Sequence, residues 1–272
     1  MIKDDYLKEL SIDGTQKKNS KSNSKRDVMK IQSWLSLFEM THPGTGTSTS
    51  IDGDFGSATE KAVQNYQRAI GEKQSGQVTR ETFSWMCEPL RNAFEATSKK
   101  RALRDIIIDT AKSHVNNFPF ELVINKESNS GPWVRSYMGG NEGESWYWCM
   151  GFVQTIIDQA ASQQGKSFKT LMPLTYSCDT VGTTGLQKGI LSRYTRVRSN
   201  PSLVKPGDIF LLQKTTFDWT HTGIIISIGN DTFETIEGNT NSGGSRNGNA
   251  AIKRIRNFRT SKLDVFSIDA LT

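Results

Sequence analysis

The second half of the chain contains a cysteine in a position that suits nucleophilic chemistry. The apolar residues after Cys149 recur at helical spacing and predict a buried helix beginning at this cysteine: Phe152, Val153, Ile156, Ile157 and Ala160. A cysteine in the first turn of a helix meets the positive end of the helix dipole, which favours the thiolate. Because Trp146, Tyr147 and Trp148 precede it, Cys149 can equally be a buried apolar residue. Position alone leaves both interpretations open.

A histidine and a carboxylate are predicted to meet on a β-hairpin farther along the chain. His221 opens an isoleucine-rich strand, and a turn at 229–231 follows it. With the hairpin centred on the turn, position 221 falls opposite about 239 and 223 opposite about 237, so Glu237 and Asn239 share one face beside His221. A carboxylate or amide there can orient the imidazole and complete a nucleophile–base–orienter triad with Cys149. The alternative is a surface histidine at a strand end.

The other cysteines and histidines are weaker candidates for a site. They fall in a predicted helical core, in loop-like stretches or at a helix end: Cys87, Cys178, His42 and His114. Zinc needs three or four ligands at a characteristic spacing. Cys149, His221 and Glu237 have no such spacing, so neither a metal nor a cofactor is expected. Tyr147 and Trp148 are candidates either for lining a substrate cleft or for packing.

The composition limits the classes of protein that the chain can represent. Its 272 residues are 35% hydrophobic and 23% charged, which excludes a collagen, a coiled coil and a membrane protein. Three cysteines without a C-x-x-C pair do not form a disulfide framework. The formal net charge of +6 suits any anionic polymer as a partner, nucleic acid included. The basic stretch 246–259 has no nucleic-acid motif, so we interpret it as a solvated face and expect no nucleic-acid partner.

The start of the chain has no recognisable export signal. The sequence MIKDDYLKEL lacks the basic region and apolar run of a Sec signal peptide. Apolar runs such as Ile224–Ile226 are far shorter than a membrane-spanning helix. We therefore expect a soluble protein, made in the cytoplasm without membrane insertion, that leaves the cell by another route if it acts outside it.

Composition and periodicity divide the chain into four regions. Residues 1–27, rich in Lys, Ser and Asn, predict a flexible basic arm. Residues 28–92 predict a domain of three short helices, and residues 93–109 a helical linker. Residues 110–272 form the second predicted domain, which contains the candidate triad.

Turn and capping signals refine the three-helix region. A loop is predicted at 41–50, Ser57 or Thr59 is expected to cap the second helix, and Thr79 the third. The core is expected to consist mainly of aromatic side chains: Trp34, Phe55, Tyr66, Phe83 and Trp85.

Three stretches of this region carry a family resemblance: I-Q-S-W-L, D-G-D-F-G-S-A-T-E-K-A-V-Q-N-Y-Q and S-G-Q-V-T-R-E-T-F. Together they resemble the three-helix peptidoglycan-binding domain of many bacterial wall hydrolases. The loop at 41–50 is longer than is usual in that family. We expect the motif residues to shape a turn and a cap rather than to contact ligand: Asp52, Gly53, Phe55, Gly56 and Thr59.

Four motifs follow one another in the second domain: W-C-M-G-F-V, P-G-D-I-F-L-L, H-T-G-I-I-I-S-I and I-E-G-N-T-N. In type and order they resemble those of the CHAP amidases and endopeptidases, which belong to the NlpC-like, papain-related cysteine peptidases. An upstream segment, Glu127–Met138, also fits the family, whereas Met150 departs from the small residue that relatives often have. The aspartate of P-G-D-I, Asp208, is expected to bond turn amides.

The CHAP resemblance implies an α+β fold in which a central antiparallel sheet packs against the helix that carries the cysteine. By the same resemblance, Cys149 is the nucleophile, His221 the general base, Glu237 the group that orients His221, and Asn239 an auxiliary polar residue. The backbone N–H of Cys149 is a candidate oxyanion donor.

The two resemblances together imply a peptidoglycan hydrolase that cleaves an amide within the stem peptide, or between sugar and stem, through an acyl-enzyme. It would be a phage-type lysin released through a holin, or an antibacterial effector injected by a secretion apparatus. In either case it would act on the cell wall or in the periplasm. An immunity or inhibitor protein is a further candidate partner. Two alternatives stay open: a non-catalytic wall-binding or structural component, and a cysteine transferase or deamidase acting on protein. The polar loop 240–249 is predicted to be mobile and to border the cleft.

Overall fold

A computed structural model describes residues 1–241 and 248–272. The chain is α+β and divides into two compact units. The first, here called the helical unit, contains Asp4–Asn92 and Phe120–Ser145. The second, the sheet unit, contains Met1–Lys3, Ala93–Pro119 and Trp146–Thr272. Each unit is therefore assembled from separate stretches of the chain.

The helices and strands of the described residues are as follows. The helices are α1 (Lys25–Thr41), α2 (Ser57–Ala69), α3 (Arg80–Met86), α4 (Glu88–Phe94), α5 (Leu103–Asn116), α6 (Pro132–Tyr137), α7 (Cys149–Ser162), α8 (Cys178–Gln187) and α9 (Tyr194–Ser199). The strands are β1 (Leu122–Ile124), β2 (Glu127–Ser130), β3 (Leu191–Ser192), β4 (Ile209–Thr215), β5 (Asp218–Ile228), β6 (Thr232–Thr240), β7 (Ala250–Asn257) and β8 (Leu263–Phe266). Short 3₁₀ turns lie at Asp5–Glu9, Phe168–Thr170 and Pro201–Leu203. Within the described ranges, no helix has the length and apolar character needed to cross a membrane.

The D-G-D motif of the helical unit has a structural role, as its turn chemistry predicts. Gln32, on α1, accepts hydrogen bonds from the backbone N–H groups of Asp52 and Gly53 and donates to the carbonyl of Asp54. Gly53 has a φ of 79°, in the left-handed region that favours glycine. The turn therefore holds the start of α2 against α1.

Several details of the helical region differ from the sequence prediction. The residue at the N-cap of α2 is Gly56, which has no capping side chain, and Thr59 instead donates to the carbonyl of Asp54. Thr79 caps α3 as predicted, by accepting from Thr82 N–H. The predicted third helix is divided into α3 and α4 around Cys87. Of the expected core aromatics Trp85 is only half-buried, whereas the others are buried.

The region predicted as a flexible basic arm, residues 1–27, packs instead into the two units. Tyr6 and Ile12 are buried, and Gln16 pairs with Val78 in an isolated β-bridge. Buried Glu9 accepts two hydrogen bonds from Arg135. The Lys/Ser/Asn-rich composition obscured this, because a few well-placed side chains fix the segment.

The predicted linker and the start of the second domain also divide differently. Residues 93–109 contain the end of α4, a break, and the start of α5, which belongs to the sheet unit. Residues 120–145 belong to the helical unit, where Trp133 meets Trp34 edge-on with ring centroids 6.2 Å apart. The segment Glu127–Met138, which fits the family pattern upstream of Cys149, thus lies in the other unit.

The sheet unit is built on a six-stranded antiparallel sheet with the strand order β3-β8-β4-β5-β6-β7. The buried helix α7 packs on β5 and β6. The approach is close at Gly238, where a Cβ atom would lie 2.7 Å from Phe152 Cβ. Asp208 accepts from the N–H groups of Lys205 and Ile268, which agrees with the structural role predicted for it.

The β5–β6 register follows the sequence prediction. Ile224 pairs with Ile236, which places position 223 opposite 237 when the same register continues. A Cβ atom on Gly223 would lie 2.7 Å from Glu237 Cγ. The glycine therefore leaves space for the Glu237 side chain to reach across to β5.

Candidate active site

Cys149 is the first residue of α7, and Trp148 occupies the N-cap position. The Cys149 side chain is almost fully buried but borders a cavity of about 470 Å³. The cavity is lined by Tyr147, Cys149, Tyr176, Ser177, Cys178, Asp179, Lys214, Trp219 and Thr220. A substrate atom in this cavity could therefore reach the sulfur without passing through the core.

His221 lies on β5 and Glu237 on the adjacent strand β6, and both side chains are fully buried. His221 Nε2 and Glu237 Oε2 are 2.9 Å apart, so the imidazole donates to the carboxylate. Nδ1, the other ring nitrogen, makes no conventional hydrogen bond within the described residues. The ring lies close enough to Cys149 for the two groups to shift each other's pKa.

Glu237 is held by two further groups besides His221. Thr235 Oγ1 donates to Glu237 Oε1 over 2.6 Å, and Arg256 Nε donates to the same oxygen over 2.7 Å. A second Arg256 nitrogen, Nη2, donates to Oε2. The basic composition of 246–259 predicts a solvated face for Arg256. Its side chain instead binds the Glu237 carboxylate, which accepts from His221.

The protonation states of this group follow from the contacts. Burial favours the neutral carboxyl, but Arg256 and His221 outweigh it and lower the pKa of Glu237 to about 2. Burial likewise favours neutral imidazole, but Cys149 and Glu237 outweigh it and raise the pKa of His221 to about 9. The pKa of Cys149 is lowered by a hydrogen bond from Cys178 and by His221, against the opposing effect of burial. A Cys149 thiolate beside a His221 imidazolium is therefore the favoured resting state near neutral pH.

Cys178 is a member of the site that sequence analysis missed. It is the first residue of α8, not part of a loop, and its Sγ lies 3.9 Å from Cys149 Sγ. The contact with the Cys149 thiolate and burial raise the pKa of Cys178, so it remains a thiol that can donate to the thiolate. The overlooked signal was Ser177, whose side chain caps α8 by accepting from Thr180 N–H.

Of the two aromatic residues proposed to line the cleft, only Tyr147 does so. Its side chain is half exposed and borders the cavity at Cys149. Trp148 is fully buried, so it cannot contact a substrate as that prediction required. The reason is its N-cap position, which turns it towards Gly238 under the sheet.

Asn239 is buried near the end of β6, but strand alternation does not continue regularly to it. Its φ is 54°, and the β6–β7 register shifts between Glu237 and Thr240. Its amide donates to the carbonyl of Gly248 over 2.9 Å. The described contact thus ties Asn239 to the backbone ahead of β7. The predicted mobile loop 240–249 and the basic residue Arg246 lie partly or wholly outside the described residues.

The remaining candidates have other neighbours. His42 stacks on Phe38, and buried His114 contacts Gln159. Cys87 is buried in the helical unit, where burial raises the pKa of its thiol to about 11. Among the described residues no group of three or more His, Cys, Asp or Glu side chains is arranged to hold a metal ion.

A larger cavity, of about 750 Å³, lies in the helical unit. Its lining contains more cations than carboxylates: Arg135 pairs with Glu9 and Glu142, and Lys8 pairs with Asp5, while Lys25, Arg26 and Lys30 add further positive charge. It contains no nucleophile–base pair, so size alone does not make it the reactive site.

Comparison with known proteins bears on the helical unit. Residues 24–86 match the family described as "putative peptidoglycan binding domain". No curated protein and no solved structure matches the chain. The match supports a peptidoglycan-binding region and peptidoglycan as a partner, in agreement with the resemblance drawn from the D-G-D-F-G-S-A-T motif.

Proposed function

We propose that this protein is a peptidoglycan hydrolase that cleaves an amide bond, with Cys149 as nucleophile, His221 as general base and acid, and Glu237 orienting the imidazole. The observation that carries the proposal is the buried 2.9 Å contact between His221 and Glu237 beside Cys149. The cavity at Cys149 gives a substrate access to the sulfur. The family match at residues 24–86 supplies the substrate class.

In the first half of the reaction the Cys149 thiolate attacks the carbonyl carbon of the amide. The backbone N–H of Cys149, in the first turn of α7, is the proposed donor to the developing oxyanion. The C–N bond then breaks, and the His221 imidazolium gives its proton to the leaving amine. The product is a thioester on Cys149.

In the second half, neutral His221 takes a proton from water, and the resulting hydroxide attacks the thioester. The C–S bond breaks, the product leaves as a carboxylic acid that loses its proton to solvent, and the thiolate–imidazolium pair is restored. Throughout, ionised Glu237 fixes the ring by accepting from Nε2, which leaves Nδ1 to exchange protons with the reacting groups.

The peptidoglycan-binding region serves to keep the enzyme on its polymeric substrate. Binding to the same polymer raises the concentration of amide bonds around Cys149 without any new contact at the reacting centre. The scissile amide lies within the stem peptide or between sugar and stem. A phage-type lysin and an injected antibacterial effector would both use this chemistry.

The test is digestion of purified peptidoglycan, with the products identified by mass spectrometry. Wild type and Cys87→Ser should release fragments, whose new termini name the bond. Cys149→Ala should still bind the wall but cut at least about 10³-fold more slowly, because the nucleophile is missing. Circular dichroism checks that each variant is folded.

Two outcomes contradict the proposal. Undiminished cleavage by Cys149→Ala would place the chemistry elsewhere. Binding without cleavage by folded wild type, on every wall type tested, would favour a non-catalytic wall-binding component.

A further inference from the structure

We propose that Cys149 and Cys178 form a reversible disulfide when the protein meets a hydroperoxide, with Cys149 as the sulfur that is oxidised and Cys178 as the thiol that resolves it. The consequence, a wall hydrolase that oxidation switches off and thiols switch on, rests on the proposed function. The thiol chemistry itself does not, because it can be measured without any wall substrate.

The geometry of the two sulfurs carries the proposal. Their Sγ atoms are 3.9 Å apart, whereas a disulfide bond is about 2.05 Å long, so the sulfurs must approach by about 2 Å. Each cysteine is the first residue of a helix, α7 for Cys149 and α8 for Cys178. Side chains at helix starts can rotate without breaking the hydrogen bonds of the helix interior.

Access and reactivity assign the two roles. Both cysteines border the same cavity of about 470 Å³, which admits a molecule as small as hydrogen peroxide. Cys149 lies beside His221, which stabilises its thiolate, and the thiolate is the form that peroxide oxidises. Cys178 is kept as a thiol, so it does not compete in the first step.

The chemistry balances in two steps. The Cys149 thiolate attacks one peroxide oxygen, the O–O bond breaks, and hydroxide leaves, which oxidises the sulfur by two electrons to a sulfenic acid. Cys178 sulfur then attacks Cys149 sulfur, and the S–O bond breaks as the S–S bond forms. The proton of Cys178 leaves with the hydroxyl group as water. An added dithiol reduces the disulfide by thiol–disulfide exchange.

A cysteine without such a neighbour provides the contrast. Cys87 is also buried, but its sulfur contacts backbone carbonyls of Leu10 and Ser84 and the Arg91 side chain. Burial raises the pKa of its thiol to about 11, which leaves little thiolate for oxidation. It is a matched control for a thiol that should not take part.

The experiment treats the full-length protein with hydrogen peroxide and maps peptides under non-reducing conditions. Wild type and Cys87→Ser should give a Cys149–Cys178 cross-linked peptide that has lost two hydrogen atoms. Alkylation of Cys149 by iodoacetamide should disappear and return after dithiothreitol. In Cys178→Ser and Cys178→Ala, Cys149 should instead gain two oxygens as sulfinic acid, and dithiothreitol should not restore alkylation.

The proposal is overturned if folded wild type gives no cross-linked peptide, or if the Cys178 variants recover alkylation as fully as wild type does. Since alkylation and mass are the readouts, these outcomes are distinct from a failure to cleave peptidoglycan. If wild type also cleaves the wall, cleavage should be lost and regained in step with alkylation.

Discussion

At the scale of single residues, the site consists of charges that neutralise one another. The Cys149 thiolate, the His221 imidazolium, the Glu237 carboxylate and the Arg256 guanidinium sum to zero. An unpaired charge in a buried position is strongly destabilising, so each ion depends on its neighbour. Arg256 keeps Glu237 ionised, Glu237 keeps His221 protonated, and His221 helps to keep Cys149 ionised. We therefore expect the reactivity of Cys149 to depend on Arg256 of β7, a strand that does not contain Cys149.

The pH dependence of alkylation tests the thiolate–imidazolium pair. Iodoacetamide reacts with the thiolate, so the rate at Cys149 should be lost only as pH falls through its lowered pKa. In His221→Gln the imidazolium is gone, so the midpoint should move to higher pH. His42→Gln, a change at an exposed histidine, should leave the wild-type profile unchanged. Identical pH profiles for His221→Gln and wild type would show that His221 does not stabilise the Cys149 thiolate.

Arg256→Gln tests the support of Glu237. The pKa of Glu237 is depressed to about 2, so the carboxylate contributes stability above its ordinary value of 4.5 and loses it as pH falls towards 2. Removing Arg256 should lower the free energy of unfolding at neutral pH by about 3 kcal/mol. It should also raise the pKa of Glu237, so acid unfolding should begin at higher pH.

Lys253→Gln is the matched control for this prediction. Lys253 also lies on β7, but its ion pair with Glu234 is solvent-exposed, so its loss should cost less than about 1 kcal/mol. Urea unfolding and a pH titration followed by circular dichroism measure both effects. Equal losses of unfolding free energy in the two variants would show that the Arg256–Glu237 pair stabilises the protein no more than an exposed ion pair does.

At the scale of elements, the hairpin could be predicted and its further neighbours could not. The turn after β5 is short, and a count centred on it placed Glu237 opposite position 223, in line with the Ile224–Ile236 pair. The register shift between Ile225 and Ser227 could not be predicted from that count. The connection from β6 to β7 is longer and gives no register from sequence, so Arg256 could not be placed. α8 was missed because Gly182 and Gly185 weaken its helical pattern. Both are small because Trp219 and Phe266 pack against them.

Gly238→Ala tests whether the contact between α7 and β6 positions the reactive pair. A Cβ at Gly238 would lie 2.7 Å from Phe152 Cβ and 2.9 Å from the Trp148 ring, so the strand or the helix must shift. We expect a loss of about 1–3 kcal/mol in unfolding free energy and slower alkylation of Cys149 at neutral pH.

Gly229→Ala, in the exposed turn after β5, is the control for Gly238→Ala. The nearest neighbour of its Cβ is the Thr232 side chain at 3.0 Å, so the change should stay within about 0.5 kcal/mol. Chemical unfolding and alkylation kinetics measure both variants. If Gly238→Ala matched Gly229→Ala, the close approach would not be what positions Cys149.

At the scale of the whole molecule, the two units interleave along the chain. Composition and periodicity reflect only local features of the sequence, so they predict domains that follow one another along the chain. The helical unit instead depends on contacts between distant stretches, such as the ion pair between Arg135 and Glu9. The family match at residues 24–86 therefore covers only part of the unit in which it lies.

Trp133→Ala tests whether the segment 120–145 completes the peptidoglycan-binding unit. Trp133 is almost fully buried and contacts Trp34 of α1, so its truncation should lower the unfolding free energy of the helical unit by about 3–5 kcal/mol. Retention on purified peptidoglycan should fall with it, although Trp133 lies far beyond the family match. Val123→Ala, an exposed change in the same segment, should alter stability by no more than about 0.5 kcal/mol and leave retention unchanged. Retention is measured by a pull-down on insoluble wall, and stability by urea unfolding. If Trp133→Ala changed neither, the peptidoglycan-binding unit would be limited to the residues of the family match.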